Sequence, residues 1–305
     1  MRYAEACAGI SAASLAWERL GWRAVWYSEI GRFPSKVLAY HYPHVDNLGD
    51  LLTIENNEQF INTDFDLLAG GTPCQDFSLA GLRRGVAGKR GNLALEFCRI
   101  LRIKRPRWFL WENVPGVLSV DKGWSFGAIL EGFRECGYSF CWRVLDAQYF
   151  GVPQQRQRVF VVGYLGDWRP PAAVLFDGAA VGETIDQVCP QQEDAPGNNI
   201  AGIPGTDTRI FDINSITRVT DRSNPRPGGP SPTLTRRGDF VAFPEQRRLT
   251  PKEFERLFGF PDDYTRVEKA SDSARRQMLG NSIPVPVLSW IGQRIDRIDK
   301  LFTNQ

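Results

Sequence analysis

The sequence predicts an α/β fold, in which helices cover both faces of a mostly parallel β-sheet. The chain opens with an apolar strand at 2–7, a helix and a second strand at 23–28, which is a β-turn-α-β unit. Two further apolar runs, at 64–69 and 107–114, each stop at a turn marked by glycine or proline. A helix over 287–302 carries apolar residues at helical spacing and therefore needs a sheet to cover.

The composition is typical of a globular enzyme in the reducing cytoplasm. Hydrophobic residues make up 42% of the 305-residue chain and charged residues 24%. No apolar signal region follows Met1, and no run approaches the roughly 20 apolar residues of a membrane span. The six cysteines lack paired C-x-x-C spacing and only His41 and His44 could assist them, so we expect no metal site.

The first strand and turn have the pattern of a nucleoside-binding unit. Gly9 supplies a tight turn, and Glu29 follows the second strand, where a carboxylate can accept both ribose hydroxyls. The dinucleotide fingerprint G-x-G-x-x-G is absent, because Ser11 and Ser14 stand where glycines are needed. This disfavours a nicotinamide oxidoreductase and leaves a nucleoside ligand without phosphates.

Cys74 is the strongest candidate nucleophile. The strand before it ends in Gly70-Gly71 and then Pro73, which forces a turn and places Cys74 on a loop at the carboxyl end of a strand. A loop cysteine in an electropositive cleft can be reactive, whereas a buried structural cysteine is inert. The glycine-rich, basic segment 79–91 then predicts either a loop that closes on a phosphate backbone or a disordered surface loop.

Charged residues also stand at the ends of the following strands. Glu112 ends an apolar strand beside Trp111, and loss of solvent there would raise its pKa towards neutrality. Gln154, Arg156 and Arg158 alternate before a buried strand and would share one face. They form either a functional cluster or the exposed charged end of an edge strand.

Taken in order, these motifs resemble the DNA (cytosine-5)-methyltransferases. The resemblance covers most of the chain outside about 166–225, although Cys7 replaces an aromatic residue and Ser11 a glycine of the first motif. The segments that carry it are Cys7–Ser11, Gly70–Ser78, Glu112–Val114, Gln154–Arg158, Arg226–Thr235 and Gly280–Ser282.

The resemblance implies a Rossmann-like methyltransferase sheet with helices on both faces, dependent on S-adenosylmethionine (SAM), and a smaller, irregular, β-rich target-recognition domain. Proline and glycine become frequent after Leu165 and apolar periodicity fades, which indicates a hinge there. We therefore expect a catalytic and SAM-binding domain at 1–165, a target-recognition domain at 166–277, and a helix at 278–305 that returns to the first domain.

The implied reaction is transfer of a methyl group from SAM to C5 of a flipped-out cytosine in a specific duplex DNA sequence, through a covalent Cys74 adduct at C6. S-adenosylhomocysteine is the product and no metal is needed. Glu112 would meet N3, Arg158 the base oxygen and Arg156 the adjacent DNA backbone. The catalytic residues implied are Pro73, Cys74, Gln75, Glu112, Asn113, Arg156 and Arg158.

Two further sets of residues follow from the resemblance. Glu29 would bind the ribose and Asp50 the adenine amino group. The cofactor set is Ala8, Gly9, Ile10, Ser11, Glu29, Ile30, Asp50, Leu51, Gly71, Pro73, Leu93, Asn281, Ser282 and Ile283. The DNA set is Ser78, Arg83, Arg84, Gln154, Arg156, Arg226, Thr233, Arg236 and Arg237.

The expected partner is double-stranded DNA, with a restriction endonuclease as a functional partner in a modification system. We expect a monomer in a prokaryotic or phage-infected cytoplasm, associated with the nucleoid and not with a membrane. Two alternatives stay open: a transfer RNA cytosine-5 methyltransferase, and a catalytically weakened DNA-binding relative. Competition between duplex DNA and transfer RNA discriminates the first, and a cofactor-binding assay the second.

Overall fold

The structure, a computed structural model, describes residues 1–73, 93–176, 209–212, 231, 233–234, 240–243 and 247–303. The strands in chain order are β1 Arg2–Ala6, β2 Arg23–Ser28, β3 Leu67–Gly71, β4 Trp108–Asn113, β5 Tyr138–Asp146, β6 Gln157–Leu165, β7 Arg209–Asp212, β8 Phe240–Phe243 and β9 Arg247–Arg248. The α-helices of the described residues are α1 Ala12–Trp17, α2 Arg32–His41, α3 Glu58–Asn62, α4 Leu93–Lys104, α5 Trp124–Glu135, α6 Arg169–Leu175, α7 Pro251–Phe258, α8 Asp272–Asn281 and α9 Val285–Thr303.

Six strands form one sheet in the order β2-β1-β3-β4-β6-β5. The first four of these strands are parallel, and β6 runs antiparallel to both of its neighbours. The carboxyl ends of β1, β2, β3 and β4 therefore meet at one edge of the sheet, where open α/β sheets bind ligands. The predicted α/β sheet is confirmed, and its strand ends bring the candidate residues to one place.

Two apolar layers cover the sheet. On one face α1 and α9 pack together, and the Trp17 indole N–H donates to the Leu288 carbonyl at 2.9 Å. On the other face α4 and α5 pack around Phe97, Phe109 and Phe133, all fully buried. The helix predicted from its apolar stripe at 287–302 thus returns to the sheet that holds the start of the chain.

The segment from 247 onward contributes to the same core. Thr250 caps α7 in a capping box with Glu253, and Pro251 occupies its first turn, as the sequence predicts. Phe254 and Phe258 of this helix are buried with the residues of α1 and α9. A second sheet, in the order β7-β8-β9, lies within the predicted target-recognition range, whose boundaries stay a prediction.

Among the helices that the structure describes, none combines the length and the apolar content that a membrane crossing requires.

Candidate active site

A cavity of about 550 Å³ opens at the edge of the sheet where the parallel strands end. The loop after β1, the last residues of β3, and the end of β4 form most of its wall. The end of α8 and the residues after it close one side with Asn281, Ser282 and Ile283. Of the predicted cofactor set, Ala8, Gly9, Ile10, Glu29, Gly71 and Pro73 also line this cavity.

The loop between β1 and α1 has a strained backbone. Cys7, Gly9 and Ser11 have φ values of 53°, 58° and 51°, in the left-handed region that favours glycine. The two departures from the family motif, Cys7 and Ser11, are therefore the two non-glycine residues that carry this strain. Ser11 offsets part of the cost because its Oγ caps α1 by accepting from the Ser14 N–H at 3.2 Å.

Glu29 holds this loop through its carboxylate. Its Oε2 accepts from the Gly9 N–H at 2.8 Å, and its Oε1 accepts from the Gly31 N–H at 2.6 Å. Asn47 fixes the Glu29 backbone from both sides, since its side chain accepts from the Glu29 N–H and donates to the Glu29 carbonyl, each at 2.9 Å. Sequence reasoning missed Asn47, although an Asn three residues before Asp50 in a turn was a usable signal.

Asp50, Ile30 and Leu51 lie outside the cavity wall. Asp50 is exposed and its Oδ1 accepts from the Leu52 N–H at 3.0 Å, while Leu51 is buried. Ile30 is 76% exposed beside Glu29. The segment that holds Asp50 is joined to β2, because the Ser28 hydroxyl donates to the Gly49 carbonyl at 2.7 Å.

The electrostatics of this side suit a ligand with positive charge. Burial, followed by Glu29 and Asp50, raises the pKa of the Cys7 thiol to about 12, so this cysteine stays protonated near neutrality. Acceptor oxygens, a tight turn and an exposed apolar side chain fit a nucleoside that carries a cationic centre, as SAM does. The residues present therefore fit the cofactor.

Glu5 is a buried carboxylate at the base of the cavity, and sequence reasoning missed it. Its Oε2 accepts from the Ser11 hydroxyl at 2.5 Å, and Ser14 extends this network to the hydroxyls of Tyr3 and Tyr27. Burial raises the pKa of Glu5 to about 8, with the Ser11 hydrogen bond lowering it and Glu29 raising it. Glu5 thus carries a proton at neutral pH.

Glu112 and Arg158 form an ion pair on the opposite side of the cavity. Antiparallel pairing sets Glu112 opposite Phe160, so Arg158, two residues before Phe160, lies on the same face of the sheet. The Arg158 Nε lies 3.0 Å from Glu112 Oε1, and both side chains are 13% exposed. Burial raises the pKa of Glu112, while Arg158 and then Arg156 act to lower it.

Pro73, the residue before Cys74, is exposed and lines the same cavity. Asn113 fixes Thr72, the residue before Pro73, because the Asn113 amide donates to the Thr72 carbonyl at 2.8 Å. The Trp111 indole N–H donates to the Thr72 hydroxyl at 3.0 Å. Two residues of β4, one of which was not predicted, therefore fix the start of the Cys74 segment.

Several predicted residues lie outside the described residues. Leu93 is described, at the start of α4, but it does not line the cavity. The predicted site residues outside the described ranges are Cys74, Gln75, Ser78, Arg83, Arg84, Arg226, Arg236 and Arg237.

Gln154 and Arg156, both predicted to contact DNA, are buried, and their DNA contacts stay a prediction. Gln154 is 0% exposed and its amide donates to the Leu257 carbonyl at 3.0 Å. Arg156 is 2% exposed and its guanidinium is directed at backbone carbonyls. β6 begins at Gln157, so Gln154 and Arg156 precede the strand and the period of a strand, from which the shared face was predicted, does not extend to them. Arg156 and Arg158 nevertheless both line the cavity.

Ser231 and Thr233 form hydrogen bonds with the residues just before β6. Gln155 N–H donates to the Ser231 carbonyl and Ser231 N–H donates to the Pro153 carbonyl, each at 2.8 Å. The Thr233 hydroxyl donates to the Gln155 carbonyl. Thr233, predicted to contact DNA, therefore uses its hydroxyl to fix its own segment to the sheet.

The fold and this cavity define an open α/β protein with a ligand-sized cavity at the carboxyl edge of its sheet, and comparison with known proteins identifies the family. The C-5 cytosine-specific DNA methylase family matches residues 1–215 and 219–297, and the chain belongs to this family.

Two curated relatives are each 30% identical to the chain. One is described as a DNA N-6-adenine-methyltransferase of Escherichia phage P1, and the match covers 97% of this chain and 61% of that protein. The other is the Type II methyltransferase M.NlaX of Neisseria lactamica, with 90% of this chain and 88% of the relative covered. The chain thus spans under two thirds of the phage relative.

Among solved structures, S. pombe Dnmt2 methyltransferase superposes with a TM-score of 0.69 at 19% identity, over 99% of both chains. This similarity supports the fold.

Proposed function

We propose that the protein methylates C5 of cytosine in duplex DNA with SAM as methyl donor. The observation that carries the proposal is the Glu112–Arg158 pair, 3.0 Å apart and 13% exposed, on the wall of a cavity that Pro73 also lines. Cys74 follows Pro73 directly in the sequence, and we assign to it the nucleophilic thiol that would act beside this buried acid. Membership of the cytosine-5 family supports the same chemistry.

Glu112 would hold a proton at N3 of the cytosine. Burial raises the pKa of Glu112 from its ordinary value, and a proton shared between Glu112 and N3 would stabilise the negative charge that develops on the ring when C6 is attacked. Arg158 would donate to the base oxygen while its Nε keeps Glu112 in place. Both roles need little movement, because the ion pair already fixes the two side chains.

Cys74 would attack C6 as the thiolate. The new carbon–sulfur bond makes C5 nucleophilic, and after C5 accepts the methyl group, loss of the C5 proton releases Cys74 and restores the ring. A free thiol with a pKa of about 8.5 is only slightly ionised at neutral pH, so nearby cations must favour the anion. The base must leave the helix for this attack, which costs a few kcal/mol.

On the other side of the cavity, Glu29 and the loop at 7–11 would hold the cofactor. Bound SAM supplies the methyl group and leaves as S-adenosylhomocysteine. Glu29 would bind the ribose, and Ile30 would cover one face of the adenine. Asn281 and Ser282, which line the cavity, would close the pocket around the methionine part.

Two alternatives to cytosine-5 methylation of DNA are tested because of the names and folds of the relatives: N6-methyladenine as the product and transfer RNA as the substrate. The phage P1 protein bears the name of an adenine-N6 methyltransferase, and the Dnmt2 structures share the fold. Methylation of an amino nitrogen needs no nucleophile at a ring carbon, so it would give no role to Cys74. Transfer RNA as substrate would keep Cys74 and Glu112 in the same roles.

The decisive experiment incubates the full chain with methyl-labelled SAM and unmethylated genomic DNA, with transfer RNA as a competitor. We expect the label in 5-methylcytosine at one short recurrent sequence. Cys74→Ser should bind SAM and DNA but transfer no methyl group. Label in N6-methyladenine or only in transfer RNA, or near-normal transfer by Cys74→Ser, would overturn the proposal.

A further inference from the structure

Arg156 is a buried cation bound by three backbone carbonyls. Its Nη1 donates to the Leu234 carbonyl, and its Nη2 donates to the Gly280 and Ser282 carbonyls, all at 2.8 Å. The Phe258 ring lies under the guanidinium, with its centroid 4.8 Å from Cζ. Among the described residues no carboxylate forms an ion pair with Arg156, so the carbonyls, the ring and the longer-range field of Glu112 stabilise the charge.

The carbonyls belong to two distant parts of the chain. Leu234 ends the segment that packs on Pro153–Gln155 and lies in the predicted target-recognition range. Gly280 and Ser282 belong to the wall of the cavity that fits the cofactor. The Arg156 guanidinium therefore connects three parts of the chain: the recognition segment at Leu234, the cavity wall at Gly280 and Ser282, and the start of β6, which carries Arg158.

We infer that Arg156 is a positioning residue that couples binding of duplex DNA to binding of the cofactor. The inference rests on the proposed function, since that function supplies the two ligands. DNA that moves the recognition segment displaces the Leu234 carbonyl, and the rigid, planar guanidinium transmits this displacement to Gly280 and Ser282. Coupling of this kind is reciprocal: each ligand changes the affinity of the other by the same factor.

An arginine is required because of its geometry. Its two Nη atoms carry fixed donors in one plane and can meet three carbonyls while the ring face stacks on Phe258. Lysine keeps the charge but presents a single ammonium, which cannot hold carbonyls of two separate segments in one fixed arrangement. Arg156→Lys should therefore lose the connection and keep the charge.

Arg294 provides a matched control in the same chain. It donates to the carbonyls of Ala173, Val174 and Phe176 at 3.0, 2.5 and 3.0 Å, and its Cζ lies 4.6 Å from the Trp290 ring centroid. This arrangement joins α6 to α9, and none of its residues lines the cavity. Arg294→Lys thus makes the same chemical change at a helix–helix contact that lies away from the cavity.

The experiment measures the dissociation constant of S-adenosylhomocysteine with and without a saturating duplex that contains the methylated sequence. The ratio is the coupling factor, and such factors are typically about 5–150. We expect Arg156→Lys to bring this ratio close to one and Arg294→Lys to leave it at the wild-type value. Both variants should lower the thermal midpoint of unfolding by a similar amount. Phe258→Leu, which keeps the three hydrogen bonds, should lower the ratio less and serves if Arg156→Lys is poorly folded.

Arg156→Lys with a wild-type ratio would overturn the inference, because a merely structural arginine changes stability without changing coupling. A ratio of one in the wild-type chain would overturn it as well. Absence of methyl transfer by the wild-type chain would instead overturn the proposed function, and the coupling ratio would then be measured with a duplex selected by its binding to the chain.

Discussion

On the side of the cavity formed by β1 and β2, backbone groups define the surface, whereas on the side formed by β4 and β6 two charged side chains define it. The first side has three left-handed residues and a carboxylate that accepts from two backbone N–H groups. The second has an ion pair that is 13% exposed on both partners. The difference suggests a division of labour between a holding side, β1 and β2, that binds the cofactor and a chemical side, β4 and β6, that acts on the base. Mutations on the holding side should change cofactor affinity, and those on the chemical side should change the rate of methyl transfer.

Glu112→Gln should give the largest effect and tests the chemical side. The amide can still accept from Arg158 but holds no acidic proton for N3, so kcat should fall by about 10²–10⁴-fold. The dissociation constant of S-adenosylhomocysteine should stay within a factor of about two of wild type, since binding is assigned to the other side. Single-turnover methylation and isothermal titration measure the two quantities, and a large loss of cofactor affinity would break the separation.

Glu29→Gln tests the holding side and should give the reciprocal result. The amide replaces one acceptor by a donor, so either Gly9 or Gly31 loses its partner and the loop loosens. Loss of a hydrogen bond to a charged group costs about 1.5–3 kcal/mol, which corresponds to about 10–100-fold weaker cofactor binding. Initial-rate kinetics should show a higher KM for SAM with kcat nearly unchanged; a selective fall in kcat would contradict this assignment.

Gly70 and Gly71 allow a sharper test within one strand. A Cβ at Gly71 would lie 2.6 Å from Glu112 Oε2, whereas a Cβ at Gly70 would lie 2.6 Å from the Ala6 carbonyl oxygen. Gly71→Ala should move a side chain at little cost in stability and lower kcat by about tenfold. Gly70→Ala should press on the backbone of β1 and reduce the free energy of unfolding by about 1–3 kcal/mol.

Gly71→Ala should therefore lower kcat and leave the urea midpoint nearly unchanged, whereas Gly70→Ala should lower the urea midpoint. Equal losses of stability, with kcat unchanged in both, would show that the Glu112 carboxylate does not depend on the close approach of Gly71.

Glu5→Gln should have the smallest effect on methylation and concerns the base of the cavity, which both sides share. The folded-state pKa of about 8 lies above the ordinary value of 4.5, so the folded chain binds a proton that the unfolded chain lacks between these values. Stability from this group is present at acid pH and lost as pH rises through about 8, by up to about 1.4 kcal/mol per pH unit. As pH rises from 5.5 to 9, the urea midpoint of Glu5→Gln should fall less than that of the wild-type chain. Parallel plots of midpoint against pH for the two proteins would contradict a buried proton on Glu5.

The sequence allowed the fold and the chemical side to be predicted, because both depend on local pattern. Apolar runs and the Thr250-Pro251 cap gave strand and helix limits within a few residues. Glu112 was placed correctly at a strand end, since an apolar run that ends in a carboxylate marks such a position. The site roles themselves stay predictions until the variants are measured.

The environment of Gln154 and Arg156 could not be predicted, because it depends on residues far away in the chain. The carbonyl of Leu234 lies 78 positions from Arg156 and that of Gly280 lies 124 positions away. A periodic pattern carries no information about such contacts. Glu5 was missed for a related reason: its burial under the loop follows from packing against Ser11 and Ser14 and leaves no mark in the spacing of charges.

The order in which the cavity wall is synthesised has a consequence for the growing chain. Cys7 to Ile10 leave the ribosome long before Gly280 to Ile283 and Leu288, which complete the same cavity. Contacts across such sequence separation form late and slow folding. A nascent chain that stops before α9 therefore lacks a complete cavity, and we expect ligand-stabilised protease resistance only in chains that extend through α9.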